Sequence, residues 1–353
     1  MPLTRTPEGA VSISYPSLIS SPLALQDSIE EAFGSHPASL GIIIVRDLPP
    51  TYVAYRERLL KLAYQFGNLD EQTREKYADP KTNYSFGWSH GKEIMNGKPD
   101  TLKGSYYANI NPALHKFDIS PAQQKSHPEY YGENIWPKSD EKHVEGFEQA
   151  FKDLGGFIFK VGCELAAACQ PFVSQHVKDS SLSLPDLISS SQTTKARLLH
   201  YFPPSEGNAL PADDEPVDSW CGFHLDHSLL TGLCSAIFLR QTGLPRSTPI
   251  MVASPSPASG LYIRTRGGEL TKVAIPADCL AFQTGEALEL LTDGKLKATP
   301  HCVRVGAGEG AEITSRETFA LFMQPDTDQR ISASETFGEF SKRVFAEHYE
   351  DKM

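Results

Sequence analysis

Along the first half of the chain, apolar positions recur at helical spacing in three stretches. The first, "PLALQDSIEEAFG" (22–34), ends at a glycine suited to a helix C-cap, and "YVAYRERLLKLAYQFG" (52–67) repeats that plan. A longer stretch over 143–170 sets Phe147, Phe151, Leu154, Ile158, Val161 and Leu165 on one face, with Gly155-Gly156 as a point where it can bend. Between them, 80–115 is rich in Gly, Asn, Lys and aromatic residues and reads as loop with one short strand, "GSYYAN". From about 196 the period shortens. Segments rich in β-formers and bounded by Gly, Pro or Asp follow one another: "ARLLHYF", "GFHLD", "LLTGLCSAIFL", "GLYIRTR", "LTKVAI", "DCLAFQT", "PHCVRV" and "ETFALFMQ". Short strands in succession without long helices predict a jelly roll or small barrel, so the chain is mainly β with a helical N-terminal part. The polar, Pro-rich insertions at 203–218 and 245–260 read as surface loops, and "SETFGEFSKRVFAEHYEDKM" as a last amphipathic helix.

Composition narrows the function more than the fold. A chain of 353 residues, 40% hydrophobic and 22% charged, can bury a substantial core. A formal charge of −11 with no basic block argues against nucleic acid or an anionic membrane as partner. The N-terminal "MPLTRTPEGAVSISYP" lacks a signal-peptide pattern, and the apolar run "LGIIIV" (40–45) is too short to span a bilayer, so a cytoplasmic location is expected. Cys163, Cys169, Cys221, Cys234, Cys279 and Cys302 form no C-x-x-C pair, and their apolar surroundings fit buried, reduced thiols. Oligomeric state is not legible.

The chemistry concentrates in "WCGFHLDHSLLTGL" (220–233), where His224, Asp226 and His227 crowd into four positions. The H-x-D pattern is unspecific by itself: His127-x-Glu129, His143-x-Glu145 and His348-x-Glu350 have the same form, but in loop or helix, where residues two apart do not face one another. On a strand the side-chain period is 2, so His224 and Asp226 share a face and His227 turns to the other. A third ligand is expected at His301 in "KATPHCVRV". Two histidines and a carboxylate on one side of an octahedral ion leave adjacent positions open, as in non-haem Fe(II) oxygenases. Further on, "SRETFALF" sets Arg316 and Thr318 on one strand face, a guanidinium fork beside a hydroxyl suited to a carboxylate.

These segments resemble the iron(II)- and 2-oxoglutarate-dependent dioxygenases, in the branch that includes isopenicillin N synthase. The likeness runs in order through "FHLDHSLLTGL", "GLYIRTRGGELTKVAIPADCLAFQTGEALELLTDGKLKATPHCVRV" and "RETFALFMQP", and continues in the N-terminal half through "LGIIIVRDLPP", "DEQTREKYADP", "KGSYYAN" and "NIWP". It implies a double-stranded β-helix (jelly roll) core over 191–330, a helical region with short strands over 1–190, and a C-terminal helix over 331–353. It implies iron ligands at His224, Asp226 and His301, a carboxylate clamp at Arg316 with Thr318, and 2-oxoglutarate and O2 as cosubstrates. The family's Asn-x-Tyr-Pro is "HYFP" here, so His200 stands for the asparagine and Phe202, which has no hydroxyl, for the tyrosine; Tyr201 and Arg197 are the nearby groups that can substitute.

The expected activity is oxidation of a small organic molecule, by hydroxylation or desaturation, with 2-oxoglutarate decarboxylated to succinate and CO2. The alternatives are an iron oxidase of the same fold that does not use 2-oxoglutarate, and a catalytically silent metal- or ligand-binding barrel. Trp88, His90, Tyr106 and Tyr107, in the segment preceding the core, are the candidates for lining a substrate pocket; packing between the helical part and the barrel is the competing role for them.

Overall fold

Alternating apolar side chains make strands with two usable faces, and here each face of one large sheet buries against something different. In a computed structural model, the residues described are 3–95, 98–110, 119–177, 179, 181–203, 221–241, 248–304 and 308–349. Most of the predicted loop at 203–218, and part of that at 245–260, lies outside them.

The first half contributes the strands β1 (Thr4–Arg5), β2 (Val11–Ser14), β3 (Ile42–Arg46), β4 (Gly87–His90), β5 (Ile94–Met95), β6 (Lys98–Pro99) and β7 (Lys103–Asn109). The second contributes β8 (Lys195–Tyr201), β9 (Cys221–His224), β10 (Leu230–Cys234), β11 (Ile237–Arg240), β12 (Ile250–Val252) and β13 (Gly260–Arg264), then β14 (Leu270–Val273), β15 (Leu280–Thr284), β16 (His301–Arg304) and β17 (Thr314–Met323). The helices are α1 (Tyr15–Ser20), α2 (Gln26–Phe33), α3 (Thr51–Gly67), α4 (Glu71–Glu75), α5 (Pro121–Ser126), α6 (Pro128–Tyr131), α7 (Phe147–Ser174), α8 (Leu184–Ser189), α9 (Glu286–Leu291) and α10 (Phe337–Tyr349).

The large sheet runs β1-β2-β3-β15-β10-β17-β8-β7-β4, with β11 also on β17 and β12 on β11; a smaller sheet runs β14-β13-β16-β9. The molecule is therefore a mixed α/β fold with a many-stranded sheet and flanking helices. "LGIIIV" is largely the buried strand β3, and strands from the first 110 residues extend the same sheet as those of the second half. The segment "LLTGLCSAIFL" is two strands, β10 and β11, which pair with different stretches of the ten-residue β17.

On one face of the large sheet lies the main core. Phe319, Leu321 and Met323 of β17, Leu198 of β8 and Tyr106 of β7 pack there with α3 and α7. The six apolar positions predicted for α7 all belong to that cluster, and the helix runs unbroken through Gly155-Gly156. It approaches closely because Gly162 and Gly232 carry no side chain: a Cβ would come within 2.4 Å of Met323 Sδ at the first and 2.5 Å of Ile158 Cγ2 at the second. α7 is long and apolar enough to cross a membrane, but its apolar face is spent on this sheet. The other face meets the small sheet, where Ile42, Ile44, Leu199 and Ala281 pack with Leu261, Ile263 and Val303. All six cysteines are free.

Candidate metal centre

The centre sits at the end of the small sheet. β9 and β16 are antiparallel with His224 and His301 as direct partners, which brings their rings to 4.2 Å between centroids. The chain leaves β9 after His224, and Asp226 follows in the turn, where its backbone carbonyl accepts from Glu286 N–H at 2.7 Å at the start of α9. The potential ligand atoms of His224, Asp226 and His301 all lie within 4.8 Å of one another.

Hydrogen bonds fix which atoms face inward. His224 Nδ1 donates to the Gly222 carbonyl at 2.7 Å and His301 Nδ1 to the Thr299 carbonyl at 2.9 Å. Each ring therefore turns Nε2 toward Asp226 Oδ1, at 3.7 and 3.8 Å. Gln283, on β15, donates from Nε2 to Asp226 Oδ2 at 2.6 Å and leaves Oδ1 to the histidines. Backbone carbonyls that set the tautomer and an amide that orients the carboxylate are the supports a metal ligand set needs. Two imidazole nitrogens and one carboxylate oxygen suit a divalent transition metal with open positions, so the residues fit the group.

Charge agrees with that fit. Burial pushes the His301 pKa down to about 4, with His224 adding to the effect. For His224 burial also pulls downward, but Cys221 and Asp226 outweigh it and raise the value to about 9. Asp226 is held below the usual carboxylate range: its burial is opposed and outweighed by His301 and His224, with hydrogen bonds from Thr231 and Gln283. His224 is therefore an imidazolium at neutral pH, and a cation bound to its Nε2 displaces that proton.

Two cavities meet at this point. The smaller, about 250 Å³, is lined by His224, Asp226, His301, Arg197, Tyr201, Arg316 and Thr318 among others. Arg316 and Tyr201 are register partners on β17 and β8, and the guanidinium lies 5.0 Å from the Tyr201 ring centre. Thr318 donates its hydroxyl to the Cys234 carbonyl at 3.3 Å. Strand alternation sets Arg197, Leu199 and Tyr201 on the cavity side. His200 and Phe202 point the opposite way: His200 Nδ1 pairs with Glu317 at 2.8 Å, and Phe202 packs on His200 and His90. Arg197 is itself held by Glu93 at 2.7 Å.

The larger cavity, about 550 Å³, shares Arg197, Cys221, His224 and Asp226 with the first. Of the four residues proposed for a substrate wall, Tyr107 lines it, and its hydroxyl donates to Glu93 at 2.8 Å. Trp88, its register partner Tyr106, and His90 are on the helix-facing side, where Tyr106 stacks edge-on against Phe66 at 5.0 Å. His227 is on the wall of this cavity, 3.8 Å from Glu286 and edge-on to Phe340 of α10, and apart from the three-residue cluster. Sequence reasoning passed over Gln283, Glu93, Lys103 and Lys195. For Gln283 the signal was a lone amide inside the apolar strand "LAFQT"; for Lys195 it was its place two and six residues before Arg197 and Tyr201.

No family model matches the chain. A UPF0676 protein of Schizosaccharomyces pombe is 29% identical over 155 residues, a match spanning 42% of this chain and 39% of that protein's length. Among solved structures, the full-length Neurospora crassa protein in complex with alpha-KG (2-oxoglutarate) has a TM-score of 0.66 at 16% identity, covering 97% of this chain and 99% of its own. A protein assigned to the 2OG-Fe(II) oxygenase family from Caulobacter crescentus has a TM-score of 0.66 at 18% identity, covering 96% and 99%. A rice dioxygenase for auxin oxidation has a TM-score of 0.56 at 15% identity, covering 95% and 94%. The fold is therefore that of 2OG-Fe(II) oxygenases, and the two-histidine, one-carboxylate cluster lies within it.

Proposed function

We propose that the protein is a non-haem Fe(II)- and 2-oxoglutarate-dependent dioxygenase that oxidises a small organic molecule. The observation that carries this is the convergence of His224 Nε2, Asp226 Oδ1 and His301 Nε2, each held by a hydrogen bond at its far side, beside a cavity that Arg316 enters. We read the strands of residues 191–330 in the two facing sheets as the double-stranded β-helix jelly roll, between the N-terminal region 1–190 and the C-terminal helix 331–353. The segments around His224, His301 and Arg316 support placement in the isopenicillin N synthase-like branch, and six free thiols fit a cytoplasmic location.

In this reading His224, Asp226 and His301 hold the ferrous ion. Iron with 2-oxoglutarate supplies oxidising power from O2, with release of succinate and CO2. The chain's own part is binding, orientation and exclusion of water. Arg316 receives the far carboxylate of 2-oxoglutarate, and its stacking on Tyr201 fixes the plane in which its hydrogen bonds point. The apolar wall of the smaller cavity, including Leu199, Leu261 and Val303, keeps bulk water from that carboxylate. No side chain is needed as a general base.

The test is succinate formation by purified protein given Fe(II), 2-oxoglutarate, ascorbate and O2 without substrate. It should require iron and vanish in His224→Ala. Absence of both turnover and calorimetric binding of 2-oxoglutarate in the wild type would reject the reading; iron-dependent oxidation without 2-oxoglutarate binding would favour the cosubstrate-independent alternative.

A further inference from the structure

Strand β8 carries three cations or cation partners on its cavity face. Reading back from the deep end these are Tyr201, on which Arg316 stacks, then Arg197, then Lys195. Tyr201 and Lys195 are six residues apart, about 20 Å along an extended strand. Arg197, between them, belongs to both cavities, as do His224 and Asp226 of the candidate centre. The sheet face therefore has a cationic pole on each side of that centre.

The two outer cations on this face of β7 and β8 differ in what neutralises them. Lys103 has Glu93 at 3.1 Å and Asp100 at 2.8 Å, and Arg197 has Glu93 as well. Lys195 is only 6% exposed and no carboxylate among the described residues pairs with it. Its ammonium donates to the backbone carbonyl of Glu129, whose own carboxylate is turned to His127 at 3.2 Å. Around it lie the ring of Phe86 at 4.2 Å and that of Tyr130 at 5.4 Å, and the Glu129 carboxylate attracts it without forming an ion pair. One carbonyl occupies one of three N–H donors, and π faces compensate a desolvated cation only in part. Burial accordingly lowers the Lys195 pKa to about 7, against the pull of Glu129. A buried cation left in this state, on the wall of a 550 Å³ cavity, is stabilised by any occupant that brings a negative charge to it.

We propose that the substrate is a small organic acid. Its carboxylate is received by Lys195, and its apolar or ring-bearing body lies along Tyr107 and Phe322 toward the metal centre. Register makes this a continuous track, since Phe322 is the partner of Lys195 and Tyr107 the partner of Arg197. The inference rests on the dioxygenase reading: Arg316 takes the carboxylate of 2-oxoglutarate on one side of the centre and Lys195 that of the substrate on the other. The cavity's size is in the range of small-molecule sites.

The test compares trans-cinnamate with cinnamamide, its neutral near-isostere, by calorimetry on protein loaded with Mn(II) and saturating 2-oxoglutarate, so that the Arg316 cavity is filled and no turnover occurs. Cinnamate should bind at least tenfold more tightly than the amide. Lys195→Arg should keep that preference and Lys195→Met should abolish it, while both variants keep the wild-type thermal shift on adding Mn(II) with 2-oxoglutarate. That shift reports folding and the metal centre independently of Lys195. If wild type lacks it, the dioxygenase reading itself fails. If it is present and cinnamate fails to bind, binds no better than the amide, or binds Lys195→Met as well as wild type, the acid-substrate inference is overturned.

Discussion

The two faces of the β8–β17 strand pair both bury charge, and they use it differently. On the helix side His200 Nδ1 pairs with its register partner Glu317 at 2.8 Å, and Ser315 donates to the same carboxylate at 2.6 Å. The rings of Tyr64 and Phe202 pack edge-on against the imidazole. On the cavity side Arg197, Tyr201, Arg316 and Thr318 line open volume beside His224, Asp226 and His301. Burial of charge is common to both, so it does not mark a functional site. What separates them is that the cavity-side groups, whatever partners they have within the chain, border a volume that an occupant can enter.

Substitutions on the two faces should therefore fail in different ways. The largest effect is expected at Asp226, because both histidine nitrogens face its Oδ1: Asp226→Ala should bring succinate formation and the metal-induced thermal shift to background. A variant that retained metal-dependent turnover would mean the ion sits elsewhere. Glu317→Ala, on the sealed face, should cost about 3 kcal/mol of stability in a denaturant titration, since it leaves His200 buried without its partner. The affinity of the remaining folded protein for 2-oxoglutarate should be unchanged. Arg316→Met reverses that signature: on the order of a hundredfold weaker 2-oxoglutarate binding, from loss of a buried charge-assisted contact, with little change in unfolding midpoint. If Arg316→Met instead unfolded the protein and bound 2-oxoglutarate normally, the distinction between the faces would collapse.

Much of this arrangement is legible in the amino acids. The change from helical to strand spacing near 196 locates the strands of the second half, and the period of a strand selects His224 and Asp226 over His227. The same period, applied to "KARLLHY" and "GSYYAN", separates Arg197, Tyr201 and Tyr107 from His200 and Tyr106. What it cannot supply is the identity of the neighbouring strand or the depth of a charge. Lys195 stands at the start of β8, where a lysine is ordinarily solvated; α6 and Phe86, distant in sequence, help to bury it. "LLTGLCSAIFL" reads as one strand because local pattern does not reveal that β17 is long enough to pair with both halves. Asp226 lies past the end of β9, so its convergence with His224 owes as much to Gln283 and the start of α9 as to strand alternation.

The smallest effect is the most discriminating. The family resemblance makes Phe202 a lost tyrosine, so Phe202→Tyr would be expected to restore a hydrogen bond to 2-oxoglutarate and tighten its binding. The backbone says otherwise. Phe202 has the parity of His200, packs against His200 at 4.4 Å and His90 at 4.8 Å between ring centres, and lies 5.5 Å from the Arg74 guanidinium on the helix side of the sheet. A hydroxyl added there has no route to the cavity that Tyr201 and Arg316 line. The expected result is an unchanged dissociation constant for 2-oxoglutarate and a stability loss of about 1 kcal/mol for seating a new polar atom among packed rings. A tenfold gain in affinity would show that residue 202 reaches the cavity, and with it that the two faces of β8 are not independent.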